Sequence, residues 1–397
     1  MIALNMTDDL KILIVDNDDA HRTFFSKVLA ETGGAEVVDT ASSGRMAIAK
    51  LKQKTVDLVF LAMELPLMDG LETLEKLRDS HPDIGVVILS TSPCENNEKI
   101  VKALQMGALD FVSKAGLDVS DGGSMLLRRR LLTLMGLFRA RRNANLAKQL
   151  QNEYLPVTNT AINHEVRRPV PPSEVPSPGT RPQPERLEKT IAVNRKVELL
   201  AMGVSTGGPN ALAQVIPLLP VDLGVPVLLV QHMPATLTVS LADSLNRKSA
   251  LQVREAADGE EILPNMVYLA PGGKHMVAIR EKASGNSAGC KRIRITSDPP
   301  VNSCRPSADV LFRSAAEAFD GRILAVIMTG MGSDGTEGIR ELKRNGCYCL
   351  AQTEETCVVY GMPRSVIEAG LADEKVPLDH LARRIVELVK GRNSRIL

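Results

Sequence analysis

Short apolar runs alternate with amphipathic stretches along most of this chain. In the first 125 residues the runs Lys11–Val15, Glu36–Asp39, Leu58–Leu61, Val86–Leu89 and Asp110–Val112 read as strands, and the segments between them read as helices. Five such units predict a doubly wound parallel sheet, whose functional edge is where the strands end. Asp16, Ala62, Ser90 and Lys114 stand at those ends. From Val197 the rhythm resumes. Val197–Met202, Val225–Gln231, Ile323–Thr329 and Tyr348–Ala351 read as buried strands, and Pro209–Leu219, Thr236–Asn246 and Asp334–Arg344 as helices. The middle of this half, Leu251–Ser297, carries short alternating runs, Met266–Ala270 and Arg292–Ile295 among them. These predict an antiparallel hairpin region inserted in an otherwise parallel sheet.

Between the two halves the pattern breaks. Met125–Leu150 carries leucines at near-helical spacing with Arg128–Arg130, Arg139, Arg141 and Arg142. It reads as a long amphipathic helix with a solvated basic face; a docking surface for an acidic partner is the alternative. Val157–Glu188 holds seven prolines and few apolar residues. Such a segment cannot bury enough surface to offset its ordering entropy, so it reads as an extended linker. The expected division is a receiver-like region at 1–125, a basic helix and linker at 126–194, and a second α/β domain at 195–392.

Composition narrows the classes. The chain has 397 residues, 44% apolar and 24% charged, with a formal net charge of +1. That is a soluble protein of two or three domains with no global field for nucleic acid. No tryptophan and 3% aromatic residues leave no stacking platform for single strands. No apolar run reaches the roughly 18 residues that span a bilayer, and Met1–Asp9 lacks a signal peptide's apolar core. The six cysteines have no zinc-like spacing, so reduced thiols in a cytoplasmic protein are expected, with Cys347 and Cys349 facing one way from a strand.

The second half carries the candidate chemistry. Gly203-Val-Ser205-Thr206-Gly207-Gly208-Pro209 follows an apolar strand and opens a helix. A serine raised on such a turn is a typical exposed nucleophile, although glycine-rich turns of this kind also cradle phosphates. Gln231-His232-Met233-Pro234 leaves the next strand, and Gly330-Met331-Gly332-Ser333-Asp334-Gly335 leaves a third. Taken singly, the histidine could be structural and the aspartate a helix cap. Together they offer a base for the serine and a carboxylate to fix the base's tautomer, while amides near Thr206 and Met331 could meet a carbonyl oxygen. The order Ser, His, Asp differs from chymotrypsin, subtilisin and the α/β-hydrolases. His275, in a Pro-Gly-Gly-Lys-His loop, is a rival base, and Arg305 could steer an acidic surface or be an ordinary surface arginine.

These motifs, together with Ala270-Pro-Gly-Gly-Lys-His-Met276, Arg305-Pro-Ser307, Asp309-Val-Leu-Phe312 and Val358-Val-Tyr-Gly-Met-Pro363, closely resemble the bacterial chemotaxis protein-glutamate methylesterases, and the first half resembles their response-regulator receiver. The resemblance implies hydrolysis of glutamate methyl esters, and deamidation of glutamines, on the cytoplasmic domains of chemoreceptors. It assigns Ser205 as nucleophile, His232 as base, Asp334 as orienting carboxylate and the Met331 amide as oxyanion donor, with Thr206, Gly207 and Gly208 shaping the substrate loop. It implies a histidine kinase as partner, no nucleic acid, no membrane insertion, and neither a metal nor an organic cofactor. A divergent serine hydrolase and a non-catalytic docking adaptor are the competing classes.

The first half departs from that family. Receivers need carboxylates and Mg²⁺ to bring a phosphoryl group onto an aspartate. Alignment on Pro66 and Met68-Asp69-Gly70 puts Ala62 at the phosphoacceptor position. Asn17 stands at the second acid beside Asp16, and Ala115 replaces the proline after Lys114, while Ser90 and Lys114 are kept. The expectation is a receiver without phosphoryl transfer. Glu64 and Asp69 are weak substitute acceptors, because both lie beyond the strand end.

Overall fold

The computed structural model describes residues 9–91, 96–114, 127–128, 131–136, 138–139, 196–281, 290–319 and 323–391. The proline-rich segment 157–188, Ala115 and most of the expected basic helix lie outside the described residues. Leu127, Arg128, residues 131–136, Phe138 and Arg139 are helical, and Arg128 there pairs with Glu31.

The first sheet is built from β1 (Leu10–Val15), β2 (Ala35–Ala41), β3 (Leu58–Ala62), β4 (Gly85–Ser90) and β5 (Asp110–Ser113) in the order β2-β1-β3-β4-β5, parallel throughout. Strands β3 and β4 are buried along their whole length, which is why they read as unbroken apolar runs rather than alternating ones. Helices α1 (Asp19–Thr32), α2 (Gly44–Leu51), α3 (Gly70–Ser80) and α4 (Asn97–Gln105) connect them. The first three start at Asp18, Ser43 and Asp69, whose side chains accept from backbone amides of the first turn and satisfy donors the helix cannot.

The second sheet has seven strands: β6 (Leu199–Val204), β7 (Val227–Gln231), β8 (Gln252–Glu255), β9 (Met266–Leu269), β12 (Ile323–Ile327), β13 (Tyr348–Gln352) and β14 (Glu374–Val376). Their order is β14-β13-β12-β6-β7-β9-β8, and every pairing is parallel. The antiparallel part is smaller than the alternation suggested. Among the described strands only β10 (His275–Arg280) and β11 (Lys291–Thr296) pair antiparallel, as a separate two-stranded ribbon, with an isolated antiparallel bridge between Glu261 and Arg292. Met266–Leu269, expected in the hairpin region, instead pairs in parallel with β7 and β8 and is fully buried. Both its faces are covered, and a four-residue apolar run does not reveal its direction. Helices α5 (Gly208–Val215), α6 (Ala235–Asn246), α7 (Ala308–Ala318), α8 (Thr336–Arg344), α9 (Met362–Glu368) and α10 (Leu378–Lys390) cover the sheet.

The two sheets meet through helices. Helix α4 packs on α5 and α6, and the contact carries polar ties: Ser244 Oγ and Lys248 Nζ donate to Gln105 Oε1 at 2.9 and 2.7 Å. These two helices begin just after Ser205 and His232. The receiver-like region therefore rests on the scaffold of the second sheet's functional edge.

Candidate active site

The order of the second sheet places its chemistry. From β6 the chain moves to β7 on one side, and later returns to β12 on the other. Strand β6 therefore marks the reversal, and in open α/β sheets ligands bind beyond the strand ends at such a point. Ser205 follows β6, His232 follows β7 and Asp334 lies in the turn after β12. Parallel register holds the three tips side by side: Val204 pairs with Gln231 and Gly203 with Ile327. The Ser205 amide donates to the Thr329 carbonyl at 3.0 Å, and the His232 amide to the Val204 carbonyl at 3.1 Å.

Glycines make the turn possible at two places. Gly207 has φ 78°, a left-handed conformation that side chains disfavour, and a Cβ there would meet Val358 at 2.5 Å. A Cβ on Gly330 would lie 2.4 Å from Met362 Sδ and 2.7 Å from Ser205 Cβ, so the serine can be approached this closely only by glycine. Behind the turn, Gln231 Nε2 donates to the Ser205 carbonyl at 2.9 Å, and Thr329 Oγ1 donates to the Thr206 carbonyl at 2.9 Å. Among the described residues the amides of Ser205, Gly208 and Gly330 bond to backbone carbonyls, whereas those of Thr206, Gly207, Met331 and Gly332 have no backbone acceptor.

His232 Nε2 lies 2.8 Å from Asp334 Oδ2. Asp334 is almost completely buried, and its carboxylate is fully solvated by the protein. Oδ1 accepts from Ser307 Oγ at 2.6 Å, Asn302 Nδ2 at 3.2 Å and the Asp309 amide at 3.2 Å, and Oδ2 accepts from the Ala308 amide at 2.6 Å. Two of these donors are first-turn amides of α7, so the aspartate sits on the positive end of a helix. Burial disfavours its charge, yet the His232 contact and these donors outweigh burial and hold its pKa down to about 2. The imidazole responds in the opposite sense. Burial lowers its pKa, but the hydrogen bond to Asp334 and the neighbouring Cys304 push it up to about 9.

Nδ1 of His232 faces away from Asp334 and is hydrogen-bonded to the Cys304 thiol, whose Sγ lies 3.6 Å away. Cys304 is presented by a tight two-residue turn in which Val301 and Cys304 bond reciprocally, with Asn302 and Ser303 both at positive φ.

The rival candidates lie elsewhere. His275 is not in a loop but starts β10, fully buried, with Nε2 3.1 Å from the Pro299 carbonyl. Arg305 donates through one terminal nitrogen to the carbonyls of Ser297 and Asp298, pinning the loop that leads to α7. Cys347 and Cys349 are both buried in one apolar cluster. Asn302, Ser307, Asp309 and Cys304 were not singled out from the sequence as parts of the site. Ser307 carries the one local signal, a helix-capping serine whose Oγ also accepts from the Val310 amide.

At the first sheet's edge, Asp16 is fully buried and Lys114 Nζ lies 2.9 Å from its Oδ2. Ala62 is fully buried at the end of β3, Ser90 is buried at the end of β4, and Asn17 is exposed. Glu64 Oε1 accepts from Asn96 Nδ2 at 2.5 Å, and Asp69 caps α3.

Residues 200–385 match the CheB methylesterase family and residues 12–118 the response regulator receiver domain. The chain is 41% identical over 383 residues to the protein-glutamate methylesterase/protein-glutamine glutaminase of Desulfotalea psychrophila, covering 96% of this chain and 99% of that one. It is 39% identical to the protein of the same name from Geobacillus kaustophilus, with 96% and 99% covered. Among solved structures, the Thermotoga maritima CheB methylesterase catalytic domain aligns with 49% of this chain and 100% of its own, at 41% identity and a TM-score of 0.46.

Proposed function

The chain belongs to the protein-glutamate methylesterase/protein-glutamine glutaminase family, and on that premise we propose that it demethylates, and deamidates, side chains on chemoreceptor cytoplasmic domains through Ser205, His232 and Asp334. The observation that carries this reading is the short His232–Asp334 hydrogen bond beside the strand tip that bears Ser205. With Nε2–H donated to a carboxylate that burial and donors keep ionised, Nδ1 presents a lone pair. It takes the Ser205 proton as Oγ attacks the glutamyl carbonyl. The oxyanion forms against the Thr206 and Met331 amides. Collapse expels methanol from an ester, or ammonia from an amide, with His232 returning its proton to the leaving group. Water then hydrolyses the glutamyl-enzyme by the same base. The residues supply every proton transfer in this scheme.

The domain division we propose is a receiver at 1–125, a connecting segment at 126–194 and the catalytic domain at 195–392, in a protein that acts in the cytoplasm. Among the described residues no helix is long and apolar enough to cross a membrane. We also propose that the receiver is not phosphorylated. Ala62 offers no acceptor oxygen, and the Lys114 ammonium is already neutralised by Asp16. The receiver then acts through its contact with α5 and α6, in a fixed balance or one shifted by a protein partner.

The test is methanol release from methylated receptor cytoplasmic fragments, with a fluorophosphonate probe run in parallel. Release together with labelling at Ser205 is the expected result. A folded protein that neither releases methanol nor labels at Ser205 would be an adaptor, and labelling without release would mean another ester or amide substrate.

A further inference from the structure

We propose that His232 Nδ1 and Cys304 Sγ form a binding site for a thiophilic divalent cation of the Zn²⁺ class, and that filling it switches hydrolysis off. The inference deepens the reading of His232 as base and depends on it.

The separation of the two donors carries the argument. A tetrahedral Zn²⁺ with bonds of about 2.3 Å to sulfur and about 2.0–2.1 Å to nitrogen spans roughly 3.5–3.6 Å between them. Sγ and Nδ1 are 3.6 Å apart. The rest of the imidazole is also prepared. Metal-bound histidines characteristically donate their second ring N–H to a carboxylate, which fixes ring and tautomer. Asp334 does this at 2.8 Å, and it is itself anchored by Ser307 and the α7 amides. The tight turn at Asn302 and Ser303 holds the sulfur in place, so little ordering remains to be done on binding.

The chemistry balances without a redox partner. The cation takes the Nδ1 lone pair and a sulfur lone pair, Cys304 releases its proton to solvent, and water completes the coordination shell. Because the Nδ1 lone pair is the one that must accept the Ser205 proton, a loaded site has no base. Mg²⁺ and Ca²⁺ prefer oxygen ligands and should not load it. The other described thiols are poorer candidates. Burial pushes Cys347 and Cys357 up to about 12 and raises Cys349 as well, and no histidine nitrogen among the described residues faces any of these.

The experiment uses the full chain in two readouts. Co²⁺ is titrated while the near-ultraviolet thiolate-to-cobalt band is followed, and Zn²⁺ is titrated against methanol release, with each variant referred to its own metal-free rate. Wild type should show the band and lose turnover, and a chelator should restore it. Cys304→Ala, with Cys304→Ser as the shape-preserving control, should lose the band and need at least about tenfold more Zn²⁺ for half-inhibition. A band of equal strength in Cys304→Ala, or equal Zn²⁺ sensitivity in all three proteins, overturns the site. A Cys304-dependent band with undiminished turnover leaves the cation site standing and refutes His232 as the base.

Discussion

The molecule presents two parallel sheets whose strand ends carry different groups. At the second edge a hydroxyl, an imidazole and a carboxylate stand on neighbouring tips, and the carboxylate keeps its charge because five donors surround it. At the first edge β3 ends in the methyl group of Ala62, and the buried Asp16 is paired with Lys114. Both edges are built by the same packing. What differs is whether a reactive group is left available once its neighbours have been satisfied. A fold positions side chains at its strand ends without supplying chemistry to them, so the same architecture can carry different groups there.

The sharpest break in this contrast would come from the second edge. Ser205→Ala should abolish methanol release while leaving the circular dichroism spectrum and melting unchanged; residual turnover near the wild-type rate would move the nucleophile elsewhere. His232→Ala should be about as damaging, because residues that act as a unit do not lose their effects additively. Asp334→Asn should follow with a loss of up to about 10⁴-fold, the size seen when a triad carboxylate is neutralised.

The same substitution tests the electrostatics. The base works only when neutral, and Asp334 favours the protonated imidazole, so wild-type kcat/KM should climb as pH rises toward about 9. Removing the carboxylate lowers the imidazole pKa, and the ascending limb of the profile should move to lower pH. A limb that stays in place would mean that another group titrates.

Gly330→Ala is a milder probe. The added methyl must displace Met362 or Ser205, and a misplacement of about 1 Å at a reacting group can cost on the order of 10²-fold, read as a fall in kcat with the protein still folded. The first edge is tested by acetyl phosphate with Mg²⁺. No covalent label should appear on the receiver, and a label on Glu64 or Asp69 would show that its chemistry moved rather than disappeared. The smallest effect is expected at the contact between the two sheets. Gln105→Ala removes the acceptor shared by Ser244 and Lys248, and because partly exposed polar ties contribute little, the rate should change only a few-fold. An increase would mark the receiver contact as restraining.

Much of this was legible along the chain. Central parallel strands are continuous apolar runs and could be placed to within a few residues, whereas the edge strands β8 and β14, short and polar, gave no such run. A residue just past an apolar run must emerge at the functional edge. Ser205, His232, Asp334 and the vacancy at Ala62 could all be read in that way. Met266–Leu269 could not. An isolated short run has no direction, and only its pairing with Val227–Leu229 and Gln252–Glu255 made it parallel.

Which chemical groups reach the two edges follows from the order of residues along the chain, because periodicity and turn residues are local properties. The tertiary structure alone decided what those groups would meet. Asn302 and Ser307 reach Asp334 across about thirty residues, and Cys304 reaches His232 across seventy-two. Helix α4 rests on helices more than a hundred residues away. Nothing in the spacing of such pairs reports their distance, since loop closure depends only weakly on length and the packing of whole elements sets the final approach. The charge of Asp334, the basicity of His232 and the meeting of its Nδ1 with a thiol are consequences of that packing.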